Sequence, residues 1–194
     1  FAREMARASG HPVVGIERDA AQCEAGARLA GSDGESGLLE YRVGDVTDFP
    51  LHADEWGRFD LAHARFLLEH VPEPAPVVAQ MVRAVRPGGR VVLADDDHDT
   101  LRMWPECPEY LRVWEAYWRT YYAAGNDPLI GRKLPQLLQA AGAAPARCGQ
   151  VFFGACAGQP EFAAVLDNFD HGVRGARAAV LAGGALDAEA FDRG

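Results

Sequence analysis

Short, largely apolar runs alternate with amphipathic segments along the first half of the chain. The apolar runs predict strands near residues 13–17, 39–43, 59–64 and 90–95. The first run lies between two helical patterns and lacks the alternation of a half-exposed strand, which favours a strand buried in a parallel sheet. The alternation of strand and helix predicts an α/β fold with right-handed crossovers between parallel strands.

Amphipathic spacing predicts the helices. The first nine residues, FAREMARAS, have the spacing of a helix already in progress, and further helical patterns cover residues 19–30, 65–71 and 73–86. The last of these is expected to stop at Pro87-Gly88-Gly89.

The second half of the chain has a different pattern. A long aromatic helix is predicted over 107–128, a shorter helix over 131–143, one strand over 146–158 and Ala-rich helical structure over 159–194. Neither an internal repeat nor a long linker divides the chain, so a single domain, 1–194, is predicted.

Composition narrows the classes of function. The chain has 19 basic and 28 acidic residues, a formal charge of −9, and no cluster of lysine or arginine. A nucleic-acid partner is therefore not expected. No apolar run approaches the roughly 20 residues of a membrane span and no leader is visible, so no membrane partner and a cytoplasmic location are predicted. The four cysteines form no C-x-x-C pair and are interpreted as reduced and mostly buried.

Ligands of an open α/β sheet bind beyond the carboxyl ends of its strands. The residues at those ends are Glu17, Gly44-Asp45-Val46, Ala64-Arg65 and Asp95. An acid after the second strand of a nucleotide-binding half can accept both ribose hydroxyls, and an Asp after Gly can accept an exocyclic amine. Each acid taken alone is equally typical of a solvated strand end or an ordinary turn.

Four segments in order resemble class I S-adenosylmethionine-dependent methyltransferases. They are VVGIERD, VGDVTDFP, FDLAHARFLLEHVPEP and VRPGGRVVLAD, and the resemblance covers about residues 1–145. It implies a Rossmann-like, doubly wound, mostly parallel sheet with helices on both faces. It also implies that residues 1–97 form the cofactor-binding part and residues 98–194 the substrate side.

The resemblance further implies S-adenosyl-L-methionine as cofactor and a small-molecule methyl acceptor with an O, N or C nucleophile. Six cofactor-binding residues follow from it: Glu17, Arg18, Asp45, Val46, Ala64 and Arg65. In this scheme Glu17 binds the ribose, Asp45 and the Val46 backbone bracket adenine, and Ala64 with Arg65 lines the methionine side. No catalytic residue is assigned.

The sequence departs from the family pattern at both ends. The strand and glycine-rich turn that the family places before the segment at Phe1 are not in this sequence, and only one strand of the closing antiparallel pair is predicted. We therefore expect a methyltransferase fold that is truncated at both ends.

The acidic run Asp95–Asp99 is interpreted as a loop in which one acid faces substrate and the others face water, rather than as a magnesium site, so no metal is predicted. His63 and His70 flank the end of the third strand and are not assigned as bases. The aromatic helix has two open interpretations: Trp104, Tyr110, Trp114 and Trp118 shape an acceptor pocket, or the stripe packs for burial. Arg112, Glu115 and Arg119 mark its exposed face.

Two other functions remain as alternatives. A nicotinamide-dependent oxidoreductase also uses an acid after the second strand, but the chain has no tyrosine followed four residues later by lysine. A methyltransferase-like domain that only binds a partner is the second alternative, because methyl transfer depends largely on proximity and alignment. A homodimer is compatible with all of these interpretations.

Overall fold

The computed structural model describes residues 1–193. Its strands are β1 (Val13–Glu17), β2 (Leu39–Val43), β3 (Phe59–Arg65) and β4 (Val85–Ala94). Its α-helices are α1 (Ala2–Ser9), α2 (Ala20–Ser32), α3 (Pro74–Ala84), α4 (Pro108–Ala123), α5 (Leu134–Ala140), α6 (Phe162–Gly175), α7 (Arg177–Ala182) and α8 (Ala188–Arg193). Short 3₁₀ helices cover Leu68–His70, His98–Thr100 and Ile130–Lys133.

All four predicted strands are present, and the α/β class is confirmed. Strands β1 and β2 pair in parallel, with Val13 opposite Leu39 and Glu17 opposite Val43. Strands β3 and β4 form a second two-stranded sheet, so the described residues do not form one continuous four-stranded sheet. The parallel register brings the carboxyl ends of β1 and β2 to the same edge.

The described chain divides into two compact units. The first unit contains residues 1–62 and 76–91, and the second contains residues 63–75 and 92–193. In the first unit, Val77, Val78 and Met81 of α3 are buried. In the second unit, α4 packs against the three C-terminal helices around Val113, Trp114, Val173, Val180 and Phe191. The expectation of one domain over 1–194 stays a prediction.

Polar contacts fix the ends of the first unit's helices. Asp19 caps α2 by accepting a hydrogen bond from the Ala21 amide at 2.8 Å. Helix α1 is held by ion pairs from Arg3 and Arg7 to the buried carboxylate of Glu35, which follows α2.

Helix α3 ends at Ala84, two residues earlier than predicted. Strand β4 begins at the next residue, Val85, and continues through Gly88, whose φ of +77° suits glycine.

Two predicted elements are wrong. Residues 65–71 form only the 3₁₀ turn Leu68–His70, because Phe66 has a φ of +51°, which an α-helix does not accommodate. Residues 143–156 have no regular secondary structure, and Val151 and Phe152 are 92% and 87% exposed. An apolar run becomes a strand only where a neighbour pairs with its backbone, and this run has no strand neighbour within residues 1–193.

The cysteines are all free, as predicted, but only Cys23 is buried, and Cys148 and Cys156 are exposed. The expectation that they are mostly buried is therefore wrong. Within residues 1–193, no helix combines the length and apolar character needed to cross a membrane.

Candidate functional site

The structure brings two of the predicted acids, Glu17 and Asp45, to one edge of the β1–β2 sheet. Glu17 is the last residue of β1 and lies opposite Val43, the last residue of β2. The Gly44 amide donates to the Glu17 carbonyl at 3.0 Å, which extends the pairing by one step and places Asp45 just beyond it. Two carboxylates therefore lie at the carboxyl ends of neighbouring parallel strands, which is where ligands of such sheets bind.

Local hydrogen bonds orient both carboxylates. Glu17 Oε1 accepts from the Asp19 amide at 3.0 Å. Asp45 Oδ1 accepts from the Thr47 amide at 2.8 Å and from the Thr47 hydroxyl at 2.7 Å. These two bonds, backbone first, hold the pKa of Asp45 below its ordinary value. Asp45 is therefore a stable anion near neutral pH.

A side chain that the sequence did not indicate, Gln80 of α3, holds the segment after Asp45. Its amide nitrogen donates to the carbonyls of Thr47 at 2.8 Å and Val46 at 3.4 Å, and its oxygen accepts from the Phe49 amide at 3.0 Å. A glutamine inside an amphipathic helix gives no sequence signal for such a role. The segment that carries Val46 is thus fixed by tertiary contacts.

Gly44 has a structural reason to be glycine. A Cβ at this position would lie 2.7 Å from Pro50 Cγ, which is closer than side chains pack. Its small size therefore serves a close approach within the protein, whether or not a ligand also passes near it.

The other two predicted cofactor residues end β3 in the second unit. Ala64 is buried, and the guanidinium of Arg65 lies 4.9 Å from the centre of the Phe66 ring. His63 precedes them, and burial, followed by the charge of Arg65, lowers the pKa of its imidazole. The amide of Phe66 donates to the Ala94 carbonyl at 3.0 Å, which joins the ends of β3 and β4.

Asp95 follows β4 and accepts hydrogen bonds from the turn after β3. Its carboxylate accepts from the amides of Leu67 and Leu68 at 3.3 and 3.0 Å. Burial, with a further contribution from the Glu69 charge, raises the pKa of Asp95 to about 6 despite these bonds. Asp95 is therefore a structural acceptor for the turn after β3.

A buried acid–imidazole pair lies next to Asp95. Glu69 Oε2 is 2.6 Å from His98 Nε2, and each side chain is only 4% exposed. The Trp114 indole donates to the His98 carbonyl at 2.7 Å. Sequence reasoning missed this pair, because its members are 29 residues apart and the pattern around each is unremarkable.

The remaining acids of the loop have separate environments. Arg132 contacts Asp97 at 2.6 Å and Asp99 at 2.7 Å on the surface. Desolvation of the carboxylate and then the charge of Glu69 raise the pKa of Asp96, although the residue as a whole is exposed to solvent. His70 is half exposed and stacks on Tyr121, with ring centres 5.5 Å apart.

The aromatic helix both packs and lines a cleft. Trp114 is buried against Phe169 of α6, with ring centres 5.4 Å apart, and Arg112, Glu115 and Arg119 are exposed as predicted. A cleft of about 560 Å³ lies beside it in the second unit. Its lining includes His98, Leu101, Arg102, Leu111, Trp114 and Trp118. Trp104, one of the predicted pocket residues, is 91% exposed.

A family model described as a methyltransferase domain matches residues 1–93. The chain is 38% identical over 106 residues to an uncharacterized 37.1 kDa protein in transposon TN4556 of Streptomyces fradiae, covering 54% of this chain and 29% of that protein. It is 30% identical over 113 residues to tocopherol O-methyltransferase of Arabidopsis thaliana, covering 58% of this chain and 31% of that protein. The matched segments thus span about a third of these relatives.

Solved structures show the same fold. The chain aligns with the MccD protein at a TM-score of 0.52 and 16% identity, covering 71% of this chain and 56% of that one. It aligns with geranyl diphosphate methyltransferase, solved with SAM, at a TM-score of 0.50 and 20% identity, covering 67% and 48%. These likenesses support the Rossmann-like fold predicted from the strand and helix pattern.

Proposed function

We propose that the chain binds S-adenosylmethionine and methylates a small molecule, and the match of residues 1–93 to a methyltransferase domain supports this. The observation that carries the proposal is the pair of carboxylates, Glu17 and Asp45, at one edge of a parallel sheet. The cofactor supplies an electrophilic methyl group when bound, and the protein supplies orientation and a dry environment.

The residues at this edge suit the donors of an adenosine. Ribose hydroxyls and an exocyclic amine donate hydrogen bonds, and an ionised carboxylate only accepts them. We assign the ribose to Glu17, with Arg18 beside it, and the adenine edge to Asp45 and the Val46 backbone. The low pKa of Asp45 supports this, since the acceptor stays charged at neutral pH.

Ala64 and Arg65 are proposed for the methionine side of the cofactor, on the resemblance of their segment to the family. They lie at the carboxyl end of β3, the type of position from which such sheets bind ligands.

The cleft beside α4 is proposed to hold the methyl acceptor. Its walls combine the apolar surfaces of Leu101, Leu111, Trp114 and Trp118 with the polar groups of His98 and Arg102 and the carboxylates of Asp99, Glu106 and Glu115. Such a lining suits a small, partly apolar molecule with one or two polar groups. Proteins named tocopherol O-methyltransferase and ubiquinone biosynthesis O-methyltransferase are among those that this chain is similar to.

Cell location and assembly belong to the same proposal. Four free cysteines suit a reducing compartment, which supports a cytoplasmic location. The formal charge of −9 supports the absence of a nucleic-acid partner. A homodimer stays a prediction.

Calorimetry with S-adenosylhomocysteine tests the cofactor site. Loss of the charge-assisted bonds of Glu17 is expected to cost about 1.5–3 kcal/mol, so Glu17→Ala should weaken binding roughly 10- to 150-fold. Glu24→Ala is the matched control, because Glu24 is an exposed carboxylate on α2 of the same unit. Equal affinities of the two variants would remove Glu17 from the site, and tighter binding of NAD than of the sulfur ligand would favour an oxidoreductase.

A transfer assay tests the reaction. The full chain is incubated with methyl-labelled cofactor and a panel of phenols, carboxylic acids and amines, with tRNA and a lysine-rich protein as controls. Labelling of a small molecule is the expected result. Labelling of tRNA or protein would contradict the substrate class, and cofactor binding without transfer to any acceptor would favour the non-catalytic binding domain.

A further inference from the structure

Three side chains outside the proposed cofactor residues form a cluster with the donors of a metal site. Glu69 belongs to the 3₁₀ turn after β3. Asp96 lies in the loop after β4, and His98, two residues later, begins the 3₁₀ helix His98–Thr100. One ligand atom from each lies within 4.8 Å of the other two. We propose that Glu69, Asp96 and His98 bind a divalent transition-metal ion, although the sequence pattern predicted no metal site.

The backbone that carries these side chains is fixed. The His98 amide donates to the Pro128 carbonyl at 3.1 Å, and the His98 carbonyl accepts from the Trp114 indole at 2.7 Å. The Asp96 carbonyl accepts from the Gly131 amide at 3.0 Å. Ligands on a rigid frame bind a metal with little ordering cost, as a preformed site requires.

Charge supports a cation at this place. Two carboxylates, Glu69 and Asp96, approach one another, and Glu69 is almost fully buried. Its ion-pair partners are imidazoles, His98 at 2.6 Å and His70 at 3.5 Å, which are charged only when protonated. Burial of a carboxylate is unfavourable without a compensating positive charge, and a divalent ion between the two acids supplies one.

The imidazole of His98 is placed to bind the same ion as Glu69. Its Nε2 lies 2.6 Å from Glu69 Oε2, so Nε2 is the ring nitrogen that faces the cluster. A neutral imidazole with its proton on Nδ1 has its lone pair on Nε2, and the neutral imidazole is the form in which histidine binds metals. An ion between Nε2 and the Glu69 carboxylate would take the place of the proton that otherwise joins them.

The donor set indicates the kind of ion. An imidazole with two carboxylates suits Zn²⁺ or Mn²⁺, whereas Ca²⁺ requires six to eight oxygen ligands. Three protein ligands leave coordination positions for water. Asp96 is exposed, so these positions can open to solvent. The site shares His98 with the cleft proposed for the methyl acceptor but uses none of the proposed cofactor residues, so metal binding can be tested without cofactor.

Metal binding to the full chain, dialysed free of metal and measured without cofactor, tests the site. Titration with Zn²⁺ by calorimetry and with Mn²⁺ by electron paramagnetic resonance should give one bound ion per chain, with weaker binding of Ca²⁺. Asp96→Asn should weaken affinity at least about tenfold, the lower end of effects seen around metal sites. Since Asp96 is exposed, this variant should retain the fold, which circular dichroism checks.

Asp99→Asn is the matched control, because Asp99 lies in the same loop, is exposed and pairs with Arg132 outside the cluster. Its affinity should stay within about twofold of the parent, while His98→Gln should reproduce the loss seen in Asp96→Asn. Absence of stoichiometric Zn²⁺ and Mn²⁺ binding by the parent would overturn the proposal. Equal losses in Asp96→Asn and Asp99→Asn would also overturn it, because they would indicate diffuse attraction to an acidic surface.

Discussion

Replacement of Gly131 by alanine probes the contact that holds the loop after β4. Gly131 lies in the 3₁₀ helix Ile130–Lys133, and its amide donates to the Asp96 carbonyl at 3.0 Å. A Cβ on Gly131 would lie 2.7 Å from the carbonyl oxygens of both Asp95 and Asp96. These neighbours are backbone atoms, which cannot rotate away as the end of a side chain can.

The magnitude follows from this geometry. Ordinary contacts of a Cβ begin near 3.4 Å, so the two segments must separate by about 0.7 Å. Overpacking of this kind typically costs about 1–3 kcal/mol, and the Gly131 to Asp96 hydrogen bond contributes about 1 kcal/mol more if it is lost. We expect Gly131→Ala to lower the free energy of unfolding by about 2–4 kcal/mol.

Urea unfolding followed by far-ultraviolet circular dichroism measures this change. Gly175→Ala is the matched control, since Gly175 ends α6 and a Cβ there would meet no atom within 4 Å. That control should be neutral or should gain up to about 1 kcal/mol from helix propensity. Equal stability of Gly131→Ala and the parent, with an unchanged urea dependence, would refute the reasoning.

Three further predictions concern the first unit. Arg42 is 11% exposed and donates to Glu55 at 2.6 Å and to Glu40 at 2.7 Å, so Arg42→Met should lower the free energy of unfolding at pH 7 by about 1–3 kcal/mol in urea titrations. The guanidinium lowers the pKa of Glu55 to about 2 from 4.5, so its stabilisation is present above about pH 4.5 and is lost as the pH falls towards 2. Stability curves over that range should be flatter for Arg42→Met, and an equal slope would contradict the pairing. Gly26→Ala would place a Cβ 2.8 Å from the ring of Tyr41 and should cost about 1–2 kcal/mol, a loss that Tyr41→Leu should relieve in a double-mutant cycle.

The strands could be predicted because their signal is local. Residues 13–17 and 39–43 have the predicted bounds, and β3 differs by one residue. An apolar run that ends at a turn residue is a property of a few adjacent positions. The alternation of strands and helices also predicted parallel pairing of β1 and β2. This pairing places Glu17 and Asp45 at the same edge of the sheet.

The features that sequence missed depend on distant partners. The Glu69–His98 pair joins residues 29 positions apart, and Gln80 reaches a segment more than 30 positions before it. Residues 146–158 have the composition of a strand, yet they remain irregular, because pairing depends on a neighbour rather than on the segment itself. A local pattern carries no information on such contacts.

Two aspartates at strand ends show how environment sets the function of a residue type. Asp45 follows β2 and Asp95 follows β4, so the rule for strand ends selects both. Hydrogen bonds from Thr47 lower the pKa of Asp45, whereas burial and the nearby Glu69 raise the pKa of Asp95 to about 6. Asp45 therefore presents a constant charge to a neutral donor such as an adenine amine. Asp95 instead accepts hydrogen bonds from the amides of Leu67 and Leu68 in the turn after β3. Position alone therefore locates a candidate residue, and the surrounding donors and burial decide its role.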